Sequence, residues 1–275
     1  MPYVSDGRSL INRAYAEHYA LPSFNVCSLE MARACVQAAE LEHAPIMLQT
    51  YPGDLKHASA AVFAAMIRAL AEEANVPIML HLDHGEGLAM ATCCLRAGYA
   101  SVMFDGASYP LEDNIRLTQR IAEIAHASKA SLEAAAGSFG GGEGDDEDAV
   151  LTEVEVAVRI KEEGQADMVA CSVGSRHGQS STLDLQRLEA IAKAMQGPIV
   201  LHGGTGIPEA DLAEAVTLGV VKVNIGAGLM RALFSAWRAH TETAENHYAV
   251  YSAAHAAIVE VAREKIRFTR AAGKA

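Results

Sequence analysis

Eight short apolar segments with the character of β-strands recur along the chain, and alanine-rich segments with helical spacing separate them. In one such segment, Leu185, Leu188, Ala192 and Met195 follow one another at steps of 3, 4 and 3 residues, which places them on one helix face. Residues 61–73 and 114–126 have similar spacing. The predicted strands are 22–26, 45–50, 77–83, 101–105, 131–136, 168–174, 198–202 and 220–225.

Strands that alternate with helices form a parallel sheet, so the pattern predicts an α/β fold. Eight units of this kind favour a closed (β/α)8 TIM barrel, with 1–275 as one domain. A doubly wound open sheet is the alternative, because the number of strands does not show whether the sheet closes.

Two segments depart from the alternation. Residues 137–148 are rich in glycine and acidic residues, and they follow the fifth predicted strand. They are interpreted as a mobile lid over a barrel mouth or, equally, as a solvated loop. Residues 241–270 predict one or two extra C-terminal helices that pack on the barrel or on another subunit.

The composition excludes several classes of protein. The net charge is −12 and no cluster of lysine or arginine occurs, which argues against nucleic acids or anionic membranes as partners. No apolar stretch approaches the ~18 residues of a membrane span, and residues 1–20 lack the apolar core of a signal peptide. The five cysteines are odd in number and form no C-x-x-C pair, so we expect reduced thiols and a cytoplasmic protein.

Three histidines, each followed by glycine, come at or just after the ends of predicted strands three, six and seven: His84, His177 and His202. The carboxyl ends of barrel strands meet at one mouth, so these side chains are expected to converge there. Imidazole is the commonest side-chain metal ligand, and three protein ligands with one open position are typical of catalytic zinc. His81, inside strand three, is expected to hydrogen-bond within the barrel, and the other seven histidines to be surface or packing residues.

Carboxylates accompany the histidines. Asp83 directly precedes His84 and is better suited to general acid–base chemistry than to binding the same ion. Asp105 ends strand four, and Glu133 lies in strand five. These two are expected to orient the histidines or to form an alternate metal position. A hydrogen bond inside the barrel, without a metal role, is an equally good interpretation of both.

Two glycine-rich turns follow the last two predicted strands, at residues 203–206 and 224–228. In barrels, backbone N–H groups after strands seven and eight often bind phosphate. The joint position of these turns predicts a phosphate site.

With these motifs in order, the chain resembles the class II, zinc-dependent ketose-bisphosphate aldolases, which act on fructose and tagatose bisphosphates. The resemblance covers about residues 22–227. It rests on His-Leu-Asp83-His84-Gly, Ser-Val-Met-Phe-Asp105 with Asn114 after it, Gly-x-x-Gly-Gly-x-Glu143, Gly-Ser-Arg-His177-Gly, Leu-His202-Gly-Gly-Thr-Gly and Lys-Val-Asn224-Ile.

The resemblance implies a role for each matching residue. It implies one zinc ion per subunit on His84, His177 and His202, and a monovalent cation as a further cofactor. Asp83 would carry the proton of the C4 hydroxyl, and Glu143 would exchange the proton at the enediolate carbon. The remaining matches would hold the ketose and its phosphate: Asn25, Asn224, Gly178, Gly203 and Thr205.

The chain departs from the family pattern at four places. Strand five carries Glu133 but has Ala135 where a second glutamate is usual, which puts an alternate metal position in doubt. Ala227 replaces a phosphate-binding threonine, and Tyr51 occupies the place of a small hydroxyl residue. A loose alignment puts Ile258 where an arginine for the distal phosphate is usual.

Each lost phosphate contact costs on the order of 1–3 kcal/mol, so together they argue against a conventional bisphosphate. Arg176, beside His177, is a candidate anion contact or a solvated loop residue. The sequence thus predicts a metal-dependent aldolase that cleaves a ketose or ketose phosphate to dihydroxyacetone (phosphate) and an aldehyde. A fructose- or tagatose-bisphosphate aldolase, a metal-dependent sugar epimerase or isomerase, and a non-catalytic sugar-phosphate-binding or assembly subunit are the alternatives. A homodimer or homotetramer is expected.

Overall fold

Eight parallel strands close into a barrel in the order of the sequence in the computed structural model, which describes residues 3–138 and 150–275. The first strand pairs with the last, with Leu21 opposite Lys222 and Phe24 opposite Ile225. This pairing confirms the closed (β/α)8 barrel and excludes the open doubly wound sheet. The strands are β1 Leu21–Asn25, β2 Ile46–Thr50, β3 Ile78–Gly85, β4 Ser101–Phe104, β5 Ser131–Ala135, β6 Met168–Ala170, β7 Ile199–Leu201 and β8 Val220–Ile225.

Helices surround the barrel and connect successive strands. Several begin at a side-chain cap: Ser28 Oγ, for example, accepts a hydrogen bond from Met31 N at the start of the helix after β1. The described helices are α1 Gly7–Ala16, α2 Leu29–Leu41, α3 Pro52–His57, α4 Ala60–Glu73, α5 Leu88–Ala97, α6 Leu111–Ala127, α7 Val154–Glu162, α8 Leu185–Met195, α9 Glu209–Thr217, α10 Ala227–His240 and α11 His247–Phe268. None of the helices described is long and apolar enough to cross a membrane.

The sixth strand is shorter than the sequence predicts. Residues 168–174 have an apolar composition, but β6 ends at Ala170. Beyond it, Ser172 N donates to Thr152 Oγ1 at 2.8 Å, and Gly174 adopts a left-handed φ of 102°. A side chain thus replaces the strand partner, and the chain turns away before His177.

The C-terminal tail forms one helix that packs on its own barrel. Within residues 241–270 the structure has α11, while α10 is the helix that follows β8. Glu42, at the end of α2, accepts hydrogen bonds from Arg263 Nε at 2.8 Å and Arg267 Nη2 at 2.6 Å. These ion pairs attach α11 to α2.

Ile258, which a loose alignment puts in the place of a distal-phosphate arginine, is buried. Its side chain has 0% exposure and belongs to the apolar core between α11 and the barrel. The alternation of buried and exposed positions on α11 turns this face inward, so Ile258 offers no surface to a substrate.

The inside of the barrel is unusually polar. Ser23, Gln49, His81, Glu133 and Lys222 all have 0% exposure, although they lie within apolar strands. Side chains at alternate positions of a strand face the same side, so His81 and Asp83, or Lys222 and Asn224, project into the interior together. As predicted, His81 bonds within the barrel, where its Nδ1 lies 2.7 Å from Ser101 Oγ.

Truncation of Ile258 provides a test of its position. Ile258→Ala should lower the free energy of unfolding by about 2–5 kcal/mol, because it opens a cavity in the core. Its kcat and KM should stay at wild-type values, and the loss should be visible as a lower Tm in thermal unfolding. Val62→Ala, at a site on α4 that is 57% exposed, is the control and should leave Tm unchanged. A changed KM with unchanged Tm would instead place Ile258 against the substrate.

Candidate active site

Three histidines meet at the carboxyl end of the barrel. One ring nitrogen from each of His84, His177 and His202 lies within 4.8 Å of the others. His202 directly follows β7, His84 is the penultimate residue of β3, and His177 comes from the loop after β6. The structure therefore brings together the predicted trio, although His177 arrives on a loop rather than at a strand end.

The backbone at His84 is what allows it and Asp83 to serve one site. Neighbouring residues of a regular strand point to opposite faces, so only one of the two would face the mouth. His84 adopts a left-handed φ of 49°, and the register between β3 and β4 shifts between Leu82 and Gly85. A Cβ atom on Gly85 would lie 2.2 Å from Met103 O, so this irregular backbone requires glycine there.

Each of two histidines has one ring nitrogen held by a carboxylate. His84 Nδ1 lies 2.6 Å from Asp105 Oδ2, and His202 Nε2 lies 3.0 Å from Glu133 Oε1. These contacts leave His84 Nε2 and His202 Nδ1 facing each other at 3.2 Å. Histidines that bind metals donate their other N–H in this way, so the donor set fits a metal ion.

The electrostatics of the three rings differ. Burial lowers the pKa of His202 well below its ordinary value, and it also lowers the pKa of His177. Burial would lower the pKa of His84 too, but the charges of Asp83 and Asp105 outweigh it and raise that pKa to about 9. Neutral rings at His177 and His202 have the lone pairs that a metal requires.

Asp83 lies beside the histidine cluster, where three amides hold it. Its Oδ1 accepts from Asn224 Nδ2 at 2.8 Å, and its Oδ2 accepts from Asn25 Nδ2 and Gln49 Nε2, each at 3.0 Å. The nearer oxygen is 3.9 Å from His84 Nε2. Burial by itself would raise the pKa of Asp83, but the nearby His84, His202 and Lys222 outweigh it and hold the pKa well below its usual range. Asp83 is therefore ionised at neutral pH.

Gln49 and Lys222 belong to this site although the sequence analysis did not select them. Gln49 Nε2 also donates to Asn25 Oδ1 at 2.8 Å, and Ser23 Oγ donates to Gln49 Oε1. Lys222 Nζ forms an ion pair with Glu133 Oε2 at 2.9 Å. One sequence signal could have identified both residues: each is a polar residue in an otherwise apolar strand. In a barrel, such a residue can face the interior, where other polar side chains contact it.

The two glycine-rich turns form a backbone cradle beside the histidines. Gly178 and Gly203 both adopt a left-handed φ of 69°, and a Cβ atom on Gly203 would lie 2.5 Å from Arg176 O. Thr205 Oγ1 accepts from Gly228 N at 3.1 Å at the start of α10. The cradle thus depends on close contacts between backbone segments.

One arginine beside this cradle was not anticipated. Arg231, on the first turn and a half of α10, donates from Nη1 to Gly178 O at 3.3 Å. Ala227 lies on the same side. A Cβ atom built on Gly178 would lie 3.4 Å from the Cβ of Ala227. Arg176 is exposed beside His177. Arg231 therefore provides a cation beside the backbone cradle.

On the opposite side of the mouth, Tyr51 and Asp54 follow β2. Tyr51 is 39% exposed, and its ring covers Gly53, where a Cβ atom would lie 2.5 Å from Cε2 of the ring. Asp54 Oδ2 accepts from Tyr51 N at 3.0 Å. Burial raises the pKa of Asp54 to about 6, and the charge of Asp83 adds to this effect. This part of the site thus contains a phenol and a carboxyl group.

The described site does not include two residues of the family motifs. Glu143 falls outside the described residues, as do residues 139–148 of the predicted lid. Asn114 donates from Nδ2 to Ala135 O at 3.1 Å and so supports β5 rather than the mouth.

Comparison with known proteins agrees with this geometry. The model of the family "Fructose-bisphosphate aldolase class-II" matches residues 5–274. The sulfofructosephosphate aldolase of Alkalicoccus urumqiensis is 30% identical over 100% of this chain and 99% of its own, and the fructose-bisphosphate aldolase of Mycoplasma pneumoniae is 36% identical over 86% and 84%.

Among solved structures, the YdjI aldolase of Escherichia coli K12 superposes with a TM-score of 0.88 at 29% identity, over 98% of both chains. The fructose-bisphosphate aldolase of Campylobacter jejuni has the same fold, with a TM-score of 0.83 at 20% identity over 99% of this chain and 96% of its own. With a family match over nearly its whole length and its histidines gathered at the mouth of the barrel, this chain belongs to the class II fructose-bisphosphate aldolase family.

Proposed function

We propose that this aldolase cleaves a ketose or ketose phosphate with the aid of a zinc ion on His84, His177 and His202. The observation that carries the proposal is the histidine trio, whose ring nitrogens lie within 4.8 Å of one another, with the Asp83 carboxylate beside it. The products are dihydroxyacetone, or its phosphate, and an aldehyde.

The protein prepares the ligands of the ion. Asp105 and Glu133 hold one nitrogen each of His84 and His202 and thus orient the other toward the metal position. When bound, zinc supplies a Lewis acid that polarises the ketose carbonyl and stabilises the enediolate left by cleavage. Glu133 is already engaged by His202 and Lys222, and Ala135 provides no carboxylate, so we assign one ion per subunit.

Asp83 is the proposed carrier of the C4 hydroxyl proton. Loss of that proton starts the retro-aldol cleavage, and the low pKa of Asp83 means that it enters the reaction ionised. The amides of Asn25, Gln49 and Asn224 fix its position against the substrate. On the motif alone, Glu143 would exchange the proton at the enediolate carbon.

The backbone cradle is the proposed site for a phosphate at C1. Gly178, Gly203 and Thr205 line it, and left-handed glycines let backbone N–H groups converge on an anion. Arg231 can turn from Gly178 O to the phosphate and so replace the hydroxyl contact that Ala227 lacks. Arg176 is a further candidate for this contact.

The distal end of the substrate is proposed to carry no phosphate. Tyr51 and Asp54 lie on the side of β2, and a carboxyl group with a pKa of about 6 is largely ionised at neutral pH. A negative charge there repels a second phosphate and favours hydroxyl groups. Fructose- or tagatose-bisphosphate cleavage is the second candidate, and it is favoured by the 36% identity to the fructose-bisphosphate aldolase of Mycoplasma pneumoniae.

The function can be tested with three proteins: the zinc-loaded wild type, the metal-stripped wild type and Asp83→Asn. Each is assayed with phosphorylated and unphosphorylated ketoses. We expect cleavage into two carbonyl compounds, identified by mass spectrometry, and no cleavage after treatment with EDTA. Asp83→Asn should lower kcat by about 10²–10⁴-fold, as is usual for loss of a general base. Asp113→Asn, at an exposed site on α6, is the matched control and should keep wild-type kcat.

Five results would contradict parts of the proposal. Unchanged turnover in Asp83→Asn refutes the base, and full activity after EDTA treatment refutes the metal. A single isomeric product in place of two fragments indicates an epimerase or isomerase, and no turnover of any ketose favours a binding or assembly subunit. Cleavage of fructose 1,6-bisphosphate at about 10⁵ M⁻¹s⁻¹ refutes the absence of a distal phosphate.

Arg231 should determine the preference for a phosphate. Arg231→Gln should raise KM for a ketose 1-phosphate by about tenfold, the effect of one lost charged hydrogen bond, with little change in kcat. KM for the unphosphorylated ketose should not change. Arg238→Gln, on the exposed side of the same helix, is the control. Equal effects on both substrates would show that Arg231 supports the loop without binding phosphate.

A further inference from the structure

Lys222 lies inside the barrel between the proposed base and one of the proposed metal ligands. It is on β8, its side chain has 0% exposure, and it is among the largest fully buried side chains of the described residues. Its ammonium group contacts two partners: Glu133 Oε2 at 2.9 Å and Asn224 Oδ1. Asn224 in turn contacts Asp83, and Glu133 contacts His202. One continuous chain of contacts therefore joins Asp83 to His202 through Lys222.

A buried lysine needs an explanation beyond stability. Removal of two charges from water costs several kcal/mol per ion, and apolar residues of similar volume often stabilise a core at least as well as a buried ion pair. The ion pair with Glu133 accounts for the charge of Lys222. It does not account for the second contact, with Asn224.

The second contact fixes which way the Asn224 amide faces. The two ends of an asparagine amide have nearly the same shape, but one donates hydrogen bonds and the other accepts them. An ammonium group has no acceptor, so Lys222 can face only the oxygen, and the NH2 end is left to donate to Asp83 Oδ1 at 2.8 Å. In the reverse orientation, an amide oxygen would face the carboxylate of Asp83 and repel it.

The other contact directs Glu133. With Oε2 held by Lys222, the remaining oxygen Oε1 faces His202 Nε2 at 3.0 Å. A carboxylate oxygen accepts, so the N–H of His202 lies at Nε2 and the lone pair lies at Nδ1, toward His84. His81 also borders this carboxylate, with Nε2 3.4 Å from Oε2, but it contacts neither Asn224 nor the metal position.

We propose that Lys222 is a positioning residue that aligns the Asn224 amide on Asp83 and the Glu133 carboxylate on His202. A single ammonium group thus keeps the proton carrier and a metal ligand in register within one network, in which Asn224 Nδ2 also lies 3.3 Å from His202 Nε2. The inference rests on the function proposed above for the same site. It assigns a role in both catalysis and metal binding to a side chain that contacts neither substrate nor metal.

Lys222→Met, Asn224→Ala and the double variant test the inference as a thermodynamic cycle. Lys222→Met should lower kcat by about tenfold or more at saturating zinc, with little change in KM, because the substrate contacts remain. If Lys222 acts on the base through Asn224, Lys222→Met should cause no further loss of kcat in the Asn224→Ala background. The zinc affinity of the metal-stripped protein, measured by chelator competition, should fall by about tenfold in Lys222→Met, as for other residues that orient ligands.

Lys265→Met is the matched control. Lys265 is a buried lysine of α11, with its ammonium group near Glu264 and the ring of Phe268 and away from the site. The Lys265→Met variant should have a changed Tm but the wild-type kcat and zinc affinity. If Lys222→Met does not fold, the double variant Lys222→Met/Glu133→Met can be used instead, because it removes both charges of the ion pair and keeps a similar volume. The kcat of this double variant at saturating zinc should still be about tenfold below the wild-type value.

Two results would overturn the inference. One is wild-type behaviour after removal of the ammonium group: wild-type kcat and zinc affinity in Lys222→Met or, where that variant does not fold, wild-type kcat in the double-methionine variant. The other is a cycle in which the losses from Lys222→Met and Asn224→Ala multiply, because independent effects mean that Lys222 does not act through Asn224. Neither result bears on the aldolase function itself, which fails only if Asp83→Asn or metal removal leaves turnover unchanged.

Discussion

The ion pair between Lys222 and Glu133 is the constraint on which the interior of this barrel depends. Both side chains are fully buried, and neither charge is tolerable there without the other. The pair joins β5 to β8 across the barrel and has hydrogen-bonding capacity left for His202 and Asn224. Ser23, Gln49 and His81 fill the remaining interior positions with further hydrogen bonds. Two buried atoms of this interior, His81 Nε2 and Glu133 Oε2, have no hydrogen-bond partner among the described residues and depend on charge instead: Oε2 lies 3.4 Å from His81 Nε2 and 2.9 Å from Lys222 Nζ.

A second constraint is the backbone at His84. A regular strand can turn only every other side chain to one face, yet Asp83 and His84 both serve the mouth. The left-handed conformation of His84 and the shifted register beside it resolve this conflict. Such a conformation costs on the order of 1–3 kcal/mol, so its presence at a proposed ligand agrees with a functional origin.

The reaction and the substrate depend on different parts of the site. Asp83, His84 and the network below them lie on the strands, His202 directly follows β7, and His177 comes from the loop after β6. Together they fit the chemistry of the family to which the chain belongs. The residues proposed to meet the two ends of the substrate lie instead where helices begin after the strands: Ala227 and Arg231 on α10, and Tyr51 and Asp54 at α3. Segments that follow barrel strands can change without loss of the barrel, and this chain is similar both to a fructose-bisphosphate aldolase and to a sulfofructosephosphate aldolase.

The sequence by itself determined the eight β/α units, because hydrophobic periodicity is a local property. It also identified the three histidines as candidate metal ligands, because each stands in a short motif. It could not show that β6 ends at Ala170, since a side chain of Thr152, distant in sequence, takes the place of the strand partner. Nor could it show that Ile258 is buried, or that Lys222 and Gln49 belong to the site, because inward-facing and outward-facing positions differ only once the register of the barrel is known. The tertiary structure alone decided which nitrogen of His84 and His202 faces the proposed metal position, because Asp105 after β4 and Glu133 on β5 hold the other nitrogen of each ring.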